Sequence, residues 1–302
     1  MLDTVIIGSG PAGLSAAIYA QRAQLEALVL EKDYMGLGQI AASEQVDNYP
    51  GLMGINGYDL GEKFREHAEK LGAKFKNAQA EKITVENDYY RVKLEDGEEL
   101  ETRTVIYTAG TSYRHLNVPG EEKQGVSFCA VCDGFFYKDK TVAVIGGGDT
   151  ALGDAIYLSK LAKTVYLCHR RGEFRANKTL QEKVKSTENI ELVLNSVPKE
   201  IIGEKRVEGI KLDVNGEEKV LAADGIFVAV GSVPNSQLLE GICELDERGY
   251  VIAGEDCKTS EKGIFAAGDI RTTPLRQVVT AAADGANAVL SAEEYINSQA
   301  VK

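Results

Sequence analysis

The apolar positions at the start of the chain mark a strand, a break and a helix. Thr4-Val5-Ile6-Ile7 is a short β-branched run, and Gly8-Ser9-Gly10-Pro11-Ala12-Gly13 interrupts it. Leu14-Ser-Ala-Ala-Ile-Tyr-Ala20 then places small and apolar residues at helical spacing ahead of a second apolar run, Ala27-Leu-Val-Leu30. The same succession returns as Thr141-Val-Ala-Val-Ile145, Gly146-Gly-Gly-Asp-Thr-Ala151, Leu152-Gly-Asp-Ala-Ile-Tyr-Leu158 and Thr164-Val-Tyr-Leu167. With Gly8 set against Gly146, one offset also pairs Gly10 with Gly148, Gly13 with Ala151, and Ile18-Tyr19 with Ile156-Tyr157. The chain therefore holds one βαβ unit twice.

Each unit has the glycine spacing of a dinucleotide site. A first glycine (Gly8, Gly146) turns the backbone at the strand end. A second (Gly10, Gly148) lets a pyrophosphate approach the amides at the positive end of the helix, and a small third residue (Gly13, Ala151) lets helix and strand pack closely. Ser9, Pro11 and Ala12 complete the first loop, and Asp149 and Thr150 complete the second. The offset also separates the ligands. Glu31 closes the second strand of the first unit, where a carboxylate accepts hydrogen bonds from ribose hydroxyls and repels a 2′-phosphate. The equivalent position in the second unit is His169, within His169-Arg170-Arg171-Gly172-Glu173-Phe174-Arg175, whose guanidinium forks suit a phosphate dianion. The first unit thus suits FAD, and the second suits NADPH over NADH.

Further strands are expected in a hairpin from Ala78 to Arg91 and Glu98 to Tyr107, and again over Ile210 to Val220 and Gly225 to Val230. Periodicity lapses near 112–118 and 240–247, where two crossings between domains are expected. The predicted fold is α/β, with two Rossmann-like nucleotide-binding domains of three-layer ββα type. An FAD domain, discontinuous, takes 1–113 and 245–302, and an NADPH domain takes 114–244. The returning segment carries Gly263-Ile-Phe-Ala-Ala-Gly-Asp269, which brings Asp269 to a strand end facing a cofactor crevice, then Arg276-Gln277 and a helical stretch from Val278 to Asn297.

Composition narrows the function classes. The 302 residues are 44% hydrophobic and 26% charged, ordinary for a water-soluble domain pair, and 31 Gly against 6 Pro suits many tight strand-to-helix turns. A net charge of −12 with no dense Lys/Arg stripe argues against a nucleic-acid binder and against an anionic membrane surface. Met1-Leu2-Asp3 leads straight into an apolar strand without a basic leader, so a cytoplasmic protein is expected.

Of five cysteines only Cys129 and Cys132 lie close together, in Cys129-Ala-Val-Cys132-Asp133-Gly134. That spacing is open to a redox disulfide, half of a metal site, or inert thiols. No second Cys-x-x-Cys exists, and the remaining His and Cys residues have no metal-ligand spacing, so no metal is expected. Asp133 is a candidate proton donor and acceptor for a departing thiolate, or a turn residue ahead of Gly134. Cys168, Cys243 and Cys257 read as buried small hydrophobes.

These motifs together resemble the low-molecular-weight, bacterial-type thioredoxin reductases, in the class II pyridine nucleotide-disulfide oxidoreductases. The resemblance runs over the whole chain. It rests on Gly8-Ser-Gly-Pro-Ala-Gly13, Gly38-Gln39, Val46-Asp-Asn-Tyr-Pro-Gly51, Cys129-Ala-Val-Cys-Asp-Gly134, Gly146-Gly-Gly-Asp-Thr-Ala151, His169-Arg-Arg171 with Arg175, and Gly268-Asp269 with Arg276-Gln277. It implies a homodimer in which NADPH reduces FAD, the flavin reduces the cysteine pair, and the dithiol reduces thioredoxin or a related redoxin. It adds Gly38, Gln39, Asn48, Gly110, Asp269, Arg276 and Gln277 to the FAD contacts. It also implies that Cys132 faces the flavin, that Cys129 attacks the partner disulfide, that Asp133 manages protons, and that the nucleotide domain rotates about the two crossings. Relatives with a ferredoxin donor, a peroxidase-system acceptor or dithiol oxidase activity are the alternatives, and the intact arginine set counts against a ferredoxin-fed enzyme. Two departures stand out. Leu152-Gly153-Asp154 replaces the family's paired glutamates, and Gly36-Leu37-Gly38-Gln39 replaces the usual Gly-Gly-Gln. The first bears on how the nicotinamide is held, and Gly153 costs the helix about 1 kcal/mol relative to Ala.

Overall fold

A computed structural model describes residues 1–33, 36–43 and 45–300. The chain divides into two compact units, Met1–Ser112 with Val233–Lys302, and Tyr113–Ser232. Strands Thr111–Tyr113 and Ser232–Pro234, which carry the chain across the division, pair with each other. The second division falls at 232/233, ahead of the stretch where apolar periodicity lapses. Leu239 and Cys243 are already packed with Val251, Ile264 and Ile270 in a core of the first unit, so residues 233–244 belong there rather than with the second unit.

In the first unit, strand Leu2–Ile7 pairs in parallel with Ala27–Glu31 on one side and Glu99–Tyr107 on the other. Lys74–Asn77 extends the sheet beyond Ala27–Glu31. The nine-residue strand Glu99–Tyr107 is shared: its first half pairs antiparallel with Tyr90–Leu94, and its second half pairs in parallel with Ile264–Ala266. The expected hairpin is thus a three-strand meander, because Ala80–Val85 and Tyr90–Leu94 are separate strands, broken at Glu86-Asn-Asp-Tyr89. Polar Asn and Asp turn the chain there.

Helix Pro11–Arg22 is rich in alanine for a steric reason. It packs against helix Val278–Ala300 so closely that a Cβ on Gly285 would lie 2.1 Å from the Ala12 carbonyl oxygen. Ala12, Ala16, Ala17, Ala20, Ala288 and Ala292 fill that seam with Phe265 and Ile106. By contrast, helix Gly57–Lys70 is amphipathic and mostly exposed. The Asn56 side chain caps it by accepting the Tyr58 amide at 2.8 Å, and His67 and Lys70 stand at its negative end.

The second unit is built on a five-stranded parallel sheet. Its order is Ile190–Leu194, Thr164–His169, Thr141–Ile145, Gly225–Val228 and Val126–Ser127. An antiparallel sheet of Ser196–Ile202, Gly209–Val214 and Glu217–Ala222 covers one face, with a turn at Asn215-Gly216, where both residues have positive φ (55° and 90°). Helices Asp149–Leu158 and Lys178–Lys185 cover the other. Among the described residues no helix is long and apolar enough to cross a membrane.

The repeat read from the sequence is a repeat of strand register. Ile7 stands opposite Leu30 and Ile145 opposite Cys168, so Glu31 and His169 occupy the same place at the end of the second strand of their units.

Candidate functional site

Both glycine loops are shaped by contacts that a side chain would destroy. Gly8 has φ +105°, and a Cβ there would lie 2.6 Å from the Thr108 carbonyl oxygen; Gly146 has φ +158°, and its Cβ would lie 2.4 Å from the Ala229 carbonyl oxygen. A Cβ on Gly13 would fall 1.9 Å from the Gly8 oxygen, while Ala151 is accommodated and fully buried. Gly10 and Gly148 are the extended N-caps of helices Pro11–Arg22 and Asp149–Leu158, and neither helix start has a side-chain cap. The first-turn N–H groups are therefore left for a ligand. Space is left as well, since a Cβ on Gly148 would meet nothing within 4 Å.

Around the first loop the structure gathers most of the residues singled out from the sequence. Glu31 Oε2 accepts from the Ser9 amide and hydroxyl, each at 2.8 Å, and Oε1 accepts from the Asp33 amide at 3.0 Å. The single Ser9 hydroxyl proton is shared between Glu31 Oε2 and the Gly36 carbonyl, so Glu31 and the altered Gly36-Leu37-Gly38 loop are joined. Gly38, with φ +70°, lies against Gly10: a Cβ on it would come 2.8 Å from the Gly10 Cα. Gln39 donates to the Thr111 carbonyl and hydroxyl, Gly110 has φ +61°, and Asn48 donates to Gln277 at 2.9 Å.

Asp269 sits in the turn after strand Ile264–Ala266, where burial pushes its carboxyl up to about 6, with the Arg276 cation partly offsetting and Asp284 adding to the effect. Arg276 lies over the Tyr250 ring at 4.1 Å and donates to the Asp269 carbonyl at 3.3 Å.

Two supports of this site carry no motif signal. Arg271 and Asp284 form a buried pair at 2.6 Å, and Asp284 Oδ2 also takes the Gly268 amide at 2.9 Å, fixing the turn that presents Asp269. Asn235 anchors the strand-end turn: its side chain donates to Ala109 at 2.8 Å, its amide donates to Gly110 at 3.0 Å, and it accepts from Tyr107 and Ser112 hydroxyls at 2.6 and 2.9 Å. Only the Arg–Asp spacing on the returning segment hints at the first, and nothing local marks the second.

The second loop differs from expectation at His169. Its side chain is buried, stacked on Phe174 at 5.5 Å, while Arg170, Arg171 and Arg175 are exposed. A Cβ on Gly147 would lie 2.2 Å from the ring, so the imidazole is packed beneath the glycine loop rather than alongside the guanidiniums. Burial lowers its proton affinity; a backbone bond to Glu173 works against that, and the three arginines add to the lowering. Its Nε2 is buried with no hydrogen-bond partner among the described residues. Arg175 is tied to the loop by its amide, which donates to the Gly147 carbonyl at 2.9 Å. Among the described residues no carboxylate pairs with Arg170, Arg171 or Arg175. Asp149 accepts the Asn177 amide and side chain at 2.8 and 3.2 Å, which ties the loop to helix Lys178–Lys185. Thr150 is exposed beside it. The uncapped helix starts, the space at Gly148 and the arginines without a carboxylate partner fit a phosphorylated dinucleotide. Gly147→Ala is expected to push His169 aside and weaken NADPH binding more than tenfold with FAD content unchanged, measured by NADPH titration of the flavin-loaded protein.

Cys129 and Cys132 are joined as a disulfide in the second unit, on the turn Ala130–Asp133. The Cys132 amide donates to Cys129 Sγ at 3.2 Å, which favours negative charge on that sulfur once the bond is reduced. Asp133 lies on the same turn, with Oδ2 2.6 Å from the Ser127 hydroxyl. Cys168, Cys243 and Cys257 are buried, and burial pushes the Cys168 thiol up to about 12.

The departure at Gly153-Asp154 is also placed. A Cβ on Gly153 would meet open space, so the glycine is not sterically required. Asp154 is half-buried, and burial alone pushes its carboxyl up to about 7. A carboxyl raised in the folded state contributes stability below its unfolded value near 4 that is lost as pH rises through about 7. Allowing for its partial hydration, Asp154→Asn is expected to stabilise the protein at pH 8 by about 2 kcal/mol and to leave it unchanged near pH 4. Urea unfolding at the two pH values measures this, and an equal effect at both contradicts the burial argument.

The chain matches the family described as pyridine nucleotide-disulphide oxidoreductase over residues 2–285. It belongs to that family. Among its relatives, the thioredoxin reductase of Mycolicibacterium smegmatis is 43% identical, over 98% of this chain and 97% of the relative. That of Bacillus subtilis is 40% identical, over 97% and 94%. The crystal structure of thioredoxin reductase from Streptococcus pyogenes is 39% identical, covers 99% of each chain and superposes with a TM-score of 0.94.

Proposed function

We propose that this chain is a thioredoxin-disulfide reductase, passing electrons from NADPH through FAD and the Cys129–Cys132 pair to thioredoxin or a related redoxin. The observation that carries the proposal is the disulfide itself, set in the same unit as the Gly146-to-Ala151 loop, with the Cys132 amide directed at Cys129 Sγ. When bound, FAD and NADPH supply the hydride and electron-pair chemistry.

The protein's own residues divide the remaining work. In the first unit, Gly8, Ser9, Gly10, Pro11, Ala12 and Gly13 form the FAD loop, and Glu31, Gly38, Gln39, Asn48, Gly110, Asp269, Arg276 and Gln277 hold the rest of that cofactor. In the second, Gly146, Gly148, Asp149, Thr150 and Ala151 form the NADPH loop. Arg170, Arg171 and Arg175 take the 2′-phosphate, and His169 supports the loop from beneath. In the reduced pair, Cys129 Sγ attacks one sulfur of the acceptor disulfide. The acceptor S–S bond breaks, and its departing sulfur leaves with the bonding electrons and takes one proton. Cys132 Sγ then attacks Cys129 Sγ, which reforms the internal disulfide and releases the second acceptor sulfur, and this takes a second proton. Asp133 exchanges protons at its carboxylate during these departures.

The exposed, unpaired arginines favour NADPH over a ferredoxin donor. Three buried free thiols beside one redox pair suit a reducing compartment, so we place the protein in the cytoplasm; a homodimer follows from the resemblance read in the sequence. The reading is tested by steady-state turnover of FAD-loaded protein with NADPH and oxidised thioredoxin. Catalytic reduction is expected, and NADPH oxidation that leaves thioredoxin oxidised contradicts the acceptor.

A further inference from the structure

Ser127 ends the short strand Val126–Ser127 immediately before the redox turn, and its side chain is buried. Its hydroxyl oxygen lies 3.1 Å from the Cys129 amide nitrogen, 2.6 Å from Asp133 Oδ2 and 3.3 Å from the Cys129 carbonyl oxygen. The amide can only donate, so the hydroxyl accepts from it. The hydroxyl has one proton to give, and the close carboxylate takes it ahead of the more distant carbonyl.

Two further bonds of the turn involve the same residues. The Asp133 amide donates to the Cys129 carbonyl at 3.1 Å, and the Cys132 amide donates to Cys129 Sγ at 3.2 Å. One buried hydroxyl therefore holds the backbone of the attacking cysteine and the carboxylate that serves it in a single frame. A strand-ending serine with a turn role needs only the amide bond. The short bond to Asp133, six residues on, is the additional feature.

We propose that Ser127 is a positioning residue for the thiol–disulfide step, acting through Asp133. The proposal rests on the redox reading of the cysteine pair given above. Ser127 itself gives no proton to substrate and forms no covalent bond. It fixes the Asp133 carboxylate that exchanges protons with the departing thiolates, so its loss slows acceptor reduction and leaves the delivery of electrons into the pair unchanged.

Ser127→Thr and Ser127→Val test this, since the two side chains share a shape suited to a strand and differ in the hydroxyl. Each FAD-loaded variant is reduced anaerobically with NADPH, then mixed with hydroxyethyl disulfide, whose departing thiolate requires a proton, or with oxidised thioredoxin. Reduction by NADPH is expected at equal rates in both variants. Reoxidation is expected within about threefold of the unmodified protein for Thr and about tenfold or more slower for Val. In the Asp133→Asn background the gap between Thr and Val is expected to close to less than about twofold. Equal reoxidation rates for Thr and Val overturn the proposal. So does a gap that keeps its full size in the Asp133→Asn background, which places the hydroxyl's effect on the Cys129 backbone alone. Unmodified protein that reduces hydroxyethyl disulfide but not thioredoxin contradicts the acceptor and leaves the Ser127 comparison readable. Protein that reduces neither overturns both.

Discussion

Cys129→Ser is expected to lower disulfide reduction by more than about a thousandfold while NADPH still bleaches the bound flavin at close to the unmodified rate. The size of the loss follows from the chemistry. A serine hydroxyl is a far weaker nucleophile than a thiolate at neutral pH and cannot form the mixed disulfide, so no slower version of the same path remains. The selectivity follows from the fold. Cys129 is the N-cap of the turn Ala130–Asp133 and belongs neither to the glycine loop Gly146–Ala151 nor to the arginines proposed to bind NADPH. Serine also keeps the N-cap role of Cys129, since its oxygen accepts the Cys132 amide as well as sulfur does. Stopped-flow absorbance separates the two half-reactions. Unchanged thioredoxin turnover removes the pair from the path, and loss of both half-reactions together points to a folding defect.

The paired substitution Arg170→Ala with Arg171→Ala is expected to raise the Michaelis constant for NADPH about a hundredfold and that for NADH less than about threefold. Each charge-assisted bond from a guanidinium to a phosphate is worth about 1.5–3 kcal/mol, and exposure to salt reduces the total for two such groups. Among the described residues neither side chain pairs with a carboxylate, so their removal breaks no ion pair there and the loss is read at the ligand. NADH has no 2′-phosphate and serves as the internal control. Equal effects on both nucleotides contradict the phosphate assignment, whereas a fall in kcat alone places the arginines in a later step.

The two nucleotide units were legible because their signal is steric and local. Gly8, Gly13 and Gly146 are glycines since backbone atoms lie where a Cβ would stand, and such a constraint repeats wherever the unit repeats. Register was legible for the same reason: Glu31 and His169 each end the second strand of their unit, one residue beyond the matched pairs Ile7–Leu30 and Ile145–Cys168. What His169 does was not. Spacing placed it beside the arginines, but whether its ring faces a ligand or the core depends on Gly147 and Phe174, and the ring went inward. Asn235, Asp284 and Ser127 were missed because their roles depend on partners that the fold brings to them. Asn235 reaches back to Ala109 and Gly110 across the whole of the second unit's sequence. The second division of the chain moved to 232/233 because Leu239 and Cys243 are too sparse for a periodic signal yet bury fully enough to join the first unit's core.

The central claim is a continuous path from NADPH to a protein disulfide. It is tested most directly by one anaerobic experiment on FAD-loaded protein, in which the flavin absorbance is followed during addition of NADPH and then of oxidised thioredoxin. The path predicts bleaching by NADPH at far lower concentrations than by NADH, and full return of the oxidised spectrum with stoichiometric formation of thioredoxin thiols. A flavin that NADPH fails to bleach, or one that stays bleached when thioredoxin is added, contradicts it.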